Sequence, residues 1–225
     1  GNEAYDHFET YEVDVTAPII NITPLNRPWN KTDANVTISV PNDFEEIRYK
    51  FTDTTDTVYG SWEQVSTTSP VTAAVSDNGS KHIHVEAVDE YGNTSYTYAG
   101  PYQVDKELPE IDTDYVSGAR YVSGNNYYAK QGDIVSFTLD AADAFSGIWR
   151  IFMRLNDGAS LPYAQFQPNG SFGLHGVQNK LTFNTPTELI DTGNRFKASF
   201  PIYVAYGGDE TFKIEGDSDD NVNNS

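Results

Sequence analysis

The sequence predicts an all-β chain folded as two tandem β-sandwiches, and three observations predict it. The 225 residues include 15 Tyr and 12 Phe against a single Met, and Val, Ile, Thr, Gly and Asn abound, which is the chemistry of strands and turns. No apolar pattern of period 3.6 persists for three turns, whereas short alternating segments recur between turn signals. The chain also repeats itself. Aligned without a gap, Asn2, Tyr5, Tyr11, Asp14 and Pro18 meet Asn93, Tyr96, Tyr102, Asp105 and Pro109.

Taken in order, residues 1–13 match the segment that follows the turn at Tyr91-Gly92-Asn93. They read as the last strand of a preceding repeat or as an N-terminal extension. The first domain is expected over 14–104. Within it Ile47, Tyr49 and Phe51 alternate with Arg48 and Lys50. In Lys81–Val88, Ile83, Val85 and Ala87 form one face, and His82, His84 and Glu86 form an opposite face expected to meet solvent. The second domain is expected over 105–225, with "IVSFTL" (Ile134–Leu139) answering "NVTISV" (Asn35–Val40). "SGIWRIFMRLND" answers "EEIRYKFTD", and "IEGDSDDNVNNS" answers "VEAVDEYGNTS". In this frame the second domain lacks its final strand. A frame with units at 1–91 and 92–225 fits the same repeats. The surplus length of the second domain lies mostly between Asn156 and Arg195, a long insertion of the kind on which binding function is often carried. Trp149, Ile151, Met153 and Leu155 read as one core-facing stripe.

These motifs resemble bacterial immunoglobulin-like repeats, which occur in tandem in exported and cell-wall-anchored proteins of Gram-positive bacteria. The resemblance rests on "DVTAPI" (Asp14–Ile19), Trp29, Ile47–Phe51, Trp62, Asn78-Gly79 and "AVDEYGNTS" (Ala87–Ser95). It covers the first unit and fits the second less closely, where Glu107-Leu108 precede Pro109 and Asn223-Asn224 replace Gly-Asn. It implies two immunoglobulin-like sandwiches and an extracellular, secreted or cell-wall location. It further implies a spacer or stalk that presents an adhesive or catalytic domain, with neighbouring repeats of the same polypeptide as partners. Two other readings stand beside it: a glycan- or protein-binding adhesin module that meets a cell-surface glycan or host protein, and an accessory domain of a polysaccharide-degrading enzyme.

Charge narrows the partners. Thirty-three acidic residues against 14 basic give a net charge of −19, the wrong sign for gripping nucleic-acid phosphates or anionic membrane surfaces. No apolar run approaches the roughly 18 residues of a membrane span. The absence of cysteine removes disulfides and thiolate metal sites. No nucleophile elbow, zinc-protease helix motif or phosphate-cradling loop is present, and no carboxylate pair stands out, so no enzyme is predicted. Carboxylates are the more informative feature, because calcium takes six to eight oxygen ligands. Asp14 and Asp105 open the two equivalent linkers, Glu107 follows Asp105, and Asp89 sits at the turn before the last strand; these four are the candidate calcium ligands. "DSDDN" (Asp217–Asn221) lacks the Gly and terminal Glu of an EF-hand loop. His82 and His84 have zinc-like spacing but lie on an open face without enclosure. Tyr163, Phe166 and Phe172 in the insertion are the candidate ligand-binding aromatics, with Tyr121, Tyr127 and Tyr128 as further flat rings.

Overall fold

In the computed structural model, residues 11, 13–56, 60–124, 126–156, 162–176, 180–205, 207 and 213–222 are described, and every element among them is a strand. The reading of residues 3–13 as a last strand falls almost wholly outside the described residues. The chain divides into two compact units that change over between Gln103 and Val104; the second also takes in residues 29–32 and 77–79. All named strand pairings are antiparallel.

The first unit contains β1 (Asn21–Thr23), β2 (Ala34–Ser39), β3 (Glu46–Thr52), β4 (Gln64–Ser66), β5 (Val71–Val75), β6 (Gly79–Val88) and β7 (Thr94–Val104). They form a three-stranded sheet ordered β1-β2-β5 and a four-stranded sheet ordered β4-β3-β6-β7. Two sheets with one apolar face each must bury those faces against each other. The alternation supplies them: Ala34, Val36 and Ile38 on β2, Ala73 and Val75 on β5, Ile83, Val85 and Ala87 on β6 are all buried. Each large aliphatic side chain withdrawn from water contributes about 1.5–3 kcal/mol. On the other face of the four-stranded sheet, Arg48 stands opposite Glu86 and donates to it over 2.9 Å. That face is less open than its alternation suggests. His84 is fully buried, bonded to the Tyr96 hydroxyl and Thr52 Oγ1 and stacked near Tyr98, so β7 covers the second histidine of the "HIH" run.

The second unit contains β8 (Glu110–Ser117), the hairpin β9 (Tyr121–Ser123) and β10 (Asn126–Tyr128), β11 (Ile134–Ala142), β12 (Ile148–Asn156), β13 (Tyr163–Phe166), β14 (Phe172–His175), β15 (Leu181–Phe183), β16 (Thr187–Asp191), β17 (Arg195–Val204) and β18 (Lys213–Asp220). One sheet is ordered β15-β17-β11-β8 with β16 also on β17, and the other is ordered β14-β13-β12-β18. The insertion therefore lengthens both sheets: β14 hangs on β13, and β15 and β16 run along β17. The core is built from alternate residues of β11, β12 and β17, including Leu139, Ile151, Met153, Leu155, Phe196, Phe200 and Ile202.

Trp149 departs from the stripe expected of it. Ile148 pairs with Asp220 and Arg150 with Asp219, so Trp149 is the extra residue of a β-bulge. The bulge shifts the inward face to Ile148 and Ile151, and the indole is left exposed with the Arg150 guanidinium 4.3 Å from its ring.

Candidate metal centre

Strand parity carries three carboxylates to one end of the second unit's core. On β11 the inward positions run Leu139, Ala141 and then Asp143, one residue past the strand. On β18 the inward positions run Ile214, Gly216, Ser218 and Asp220, while Asp217 and the buried Asp219 lie on the opposite face and pair with Arg154 and Arg150. Asp105 enters from the stretch ahead of β8. One carboxylate oxygen from each of Asp105, Asp143 and Asp220 lies within 4.8 Å of the others. Asp105 and Asp220 are fully buried, and Asp143 is 5% exposed.

Local backbone fixes each of the three. Asp143 Oδ1 accepts from the N–H groups of Phe145 and Gly147 at 3.0 and 2.7 Å, closing the turn between β11 and β12. That turn needs glycine at 147: its φ is +79°, and a Cβ there would lie 2.5 Å from the Gly193 carbonyl oxygen. Asp105 accepts from Glu107 N–H through Oδ1 and from Ser146 N–H through Oδ2, both at 3.1 Å. Asp220 Oδ1 accepts from Val222 N–H at 2.8 Å. The turn is tied down from a second side by Asn221, whose side-chain amide donates to Ser146 O over 2.6 Å.

The buried oxygens here include two that have no protein hydrogen-bond partner among the described residues. They are Asp143 Oδ2 and Ser146 Oγ, both buried. Buried polar atoms are nearly always satisfied, so such atoms point to a ligand. At the observed spacing, two ionised carboxylates repel each other by roughly 3–4 kcal/mol for an effective dielectric near 20. The donor set is all oxygen, with no imidazole or thiolate, and it suits a hard cation rather than zinc. Enclosed as it is, the cluster has the donors and the burial of an ion site rather than of a surface that meets a substrate.

Of the four acidic residues singled out from the sequence, the structure places Asp105 alone in this cluster. Asp14, in the first unit, accepts from Thr16 N–H at 2.8 Å and is half-buried. Asp89, also in the first unit, is buried, and its own turn saturates it: Tyr91 N–H and Asn93 N–H reach Oδ1 at 3.0 and 2.8 Å, and Asn93 Nδ2 reaches Oδ2 at 2.8 Å. Burial pushes the Asp89 carboxyl up, but those donors outweigh it and hold it below the usual carboxylate range. Glu107 is exposed and supplies only its backbone N–H to Asp105. Asp143 and Asp220 escape a reading of linkers alone. The internal repeat carried a signal for Asp220, since "DNVNN" (Asp220–Asn224) answers "DEYGN" (Asp89–Asn93) with Asp220 at the place of Asp89.

The insertion aromatics do not share an exposed surface. Phe166 lies in the core, Phe172 pairs with it across β13 and β14 and packs on that core, and Tyr163 is half-buried with its ring stacked 4.4 Å from His175. Odd spacing along β13 sends Tyr163 and Phe166 to opposite faces. Rings that do reach solvent together include Tyr121, Tyr127 and Tyr128 on the β9–β10 hairpin, where Tyr121 and Tyr128 lie 5.5 Å apart. Elsewhere on this unit an open depression is lined by Glu110, Ile111, Asp112, Asp140, Ala142 and Arg195. Its Asp140 is held below the usual carboxylate range, first by the Arg195 guanidinium and also by Lys197, against the upward push of burial.

No family model matches this sequence, and no curated protein matches it. Among solved structures the chain is similar to the fibronectin(III)-like modules of Clostridium thermocellum CbhA, at 14% identity and a TM-score of 0.33, over 70% of this chain and 90% of that one. It is also similar to a structure described as a carbohydrate-binding module of the β-sandwich superfamily, at 12% identity and a TM-score of 0.33, over 92% of this chain and 98% of that one. At these values the likeness says nothing of activity.

Proposed function

We propose that this chain is a non-catalytic tandem of β-sandwich repeats from an extracellular bacterial protein, related to the immunoglobulin-like repeats it resembles, and that it serves as a spacer. The observation that carries this reading is the repetition of one strand frame in both units. The antiparallel pairing of β3 with β6 in the first returns as β12 with β18 in the second, and the Asp89 turn returns at Asp220 with the same N–H bond from two residues on. Duplicated units of this kind serve length and placement, since each unit carries its own buried core. Among the described residues no helix is long and apolar enough to cross a membrane.

The test is single-molecule extension of the chain held by its two ends. A spacer gives two separate unfolding steps, each returning the contour length of one unit. A single step would show that the repeats act as one body and would remove the reading. A binding role is favoured by a different observation, the exposed Tyr121, Tyr127 and Tyr128. Flat rings at the surface suit the faces of sugars, and a glycan-array signal lost in a triple Ala variant of these tyrosines would replace the spacer with a recognition module.

A further inference from the structure

The geometry points to a calcium site in the second unit, formed by Asp105, Asp143 and Asp220 with the Ser146 hydroxyl, and independent of what the tandem presents or binds. Four observations carry it. Three carboxylates bring an oxygen each within 4.8 Å of one another at buried positions. Asp143 spends one oxygen on two backbone N–H groups and keeps the other, buried, without a protein partner. Ser146, whose N–H binds Asp105, has a buried hydroxyl that also lacks one. Finally, backbone donors already hold all three carboxylates, so little reorganisation is needed when an ion enters.

Calcium is the cation these donors fit. It accepts six to eight oxygens in irregular arrangement, from carboxylates, carbonyls, hydroxyls and water, whereas magnesium demands near-octahedral geometry and keeps most of its water. The ion would tie together three segments far apart in sequence: the stretch before β8, the turn after β11 and the end of β18. It would stabilise the folded second unit by mass action, because the unfolded chain does not assemble the donors.

The experiment uses the full chain, stripped with chelator and titrated with calcium chloride or magnesium chloride in a calorimeter, with urea unfolding alongside. One calcium per chain is expected, with magnesium much weaker. At calcium one hundred times its dissociation constant, the folded-to-unfolded ratio of the second unit should rise about a hundredfold. Asp143→Asn retains the oxygen that accepts from Phe145 and Gly147; it should lose calcium affinity by at least a hundredfold while remaining folded in chelator. Ser146→Ala removes a neutral oxygen and should weaken binding less. Glu107→Gln, on an exposed side chain, should bind as the unaltered protein does. Absence of heat together with equal urea midpoints in calcium and chelator would overturn the assignment. So would calcium binding that survives in Asp143→Asn, or that falls equally in Glu107→Gln, since the heat would then come from surface acids.

Discussion

Asp89 and Asp220 stand at the same place in their respective units, and each accepts the N–H of the residue two further on. Their surroundings differ. In the first unit Asn93 folds back, supplies both its backbone and side-chain N–H groups, and leaves Asp89 saturated within a single turn. In the second unit the equivalent carboxylate brings an oxygen within 4.8 Å of oxygens of Asp105 and Asp143. One aspartate position thus closes a turn in one copy and joins a cluster in the other. A repeat frame can hold a charged side chain at a fixed place and let its neighbours decide the use.

The largest break in this comparison is expected at Gly216. It lies on the inward face of β18, and a Cβ there would come within 2.4 Å of Leu139 Cδ2. Gly216→Val should therefore cost about 1–3 kcal/mol or more through overpacking, confined to the second unit. Urea unfolding should show one transition moved to lower denaturant and the other unchanged; an unmoved pair would mean the core yields freely around β18.

A sharper test substitutes the two kinds of carboxylate in chelator. Asp89→Asn turns an acceptor into a donor facing Asn93 Nδ2, and about 1–3 kcal/mol of the first unit's stability should go with it. Asp143→Asn removes one of three clustered carboxylates and should leave the second unit as stable or more so. Equal losses in the two variants would end the contrast between a saturated turn and a strained cluster.

Smaller effects are expected from pH. In the second unit the Asp133 carboxyl is lowered to about 2, chiefly by the Arg120 guanidinium, and Asp140 is lowered by Arg195. Lowered carboxyls stabilise the fold above their unfolded pKa of about 4, and that contribution fades as pH falls towards 2. In the first unit the Tyr102 hydroxyl donates to Pro24 O over 2.6 Å, and burial pushes its pKa up to about 12. Its contribution is present below pH 10 and is lost as pH rises towards 12. Melting temperatures against pH should show a shallower acid limb in Asp133→Asn and a shallower alkaline limb in Tyr102→Phe. Unaltered limbs would remove these residues from the account.

The sandwich class and most strands could be read from alternation, because a half-buried strand leaves period two in its residues. Ile83, Val85 and Ala87 face the core as their spacing requires. The second face of the same strand misled, since exposure depends on what β7 lays over it, and that is tertiary. Trp149 misled for a local reason: the bulge breaks the alternation at that one residue while Ile151, Met153 and Leu155 keep the inward face, and a bulge has no fixed residue signature. At the cluster, Asp105 was visible as a linker acid. Asp143 and Asp220 required knowledge of which strand ends meet, and the acidic "DSDDN" run hid the relevant aspartate among two that merely pair with arginines.

The bulge that turns Trp149 outward also equips the molecule with an optical probe. The indole sits between the residues paired with Asp219 and Asp220, under a guanidinium that is itself bound to Asp219. With Trp29 and Trp62 replaced by Phe, its emission would follow the end of β18 alone. Loosening of that strand end would then register as a change in wavelength and quenching well before the core dissolves.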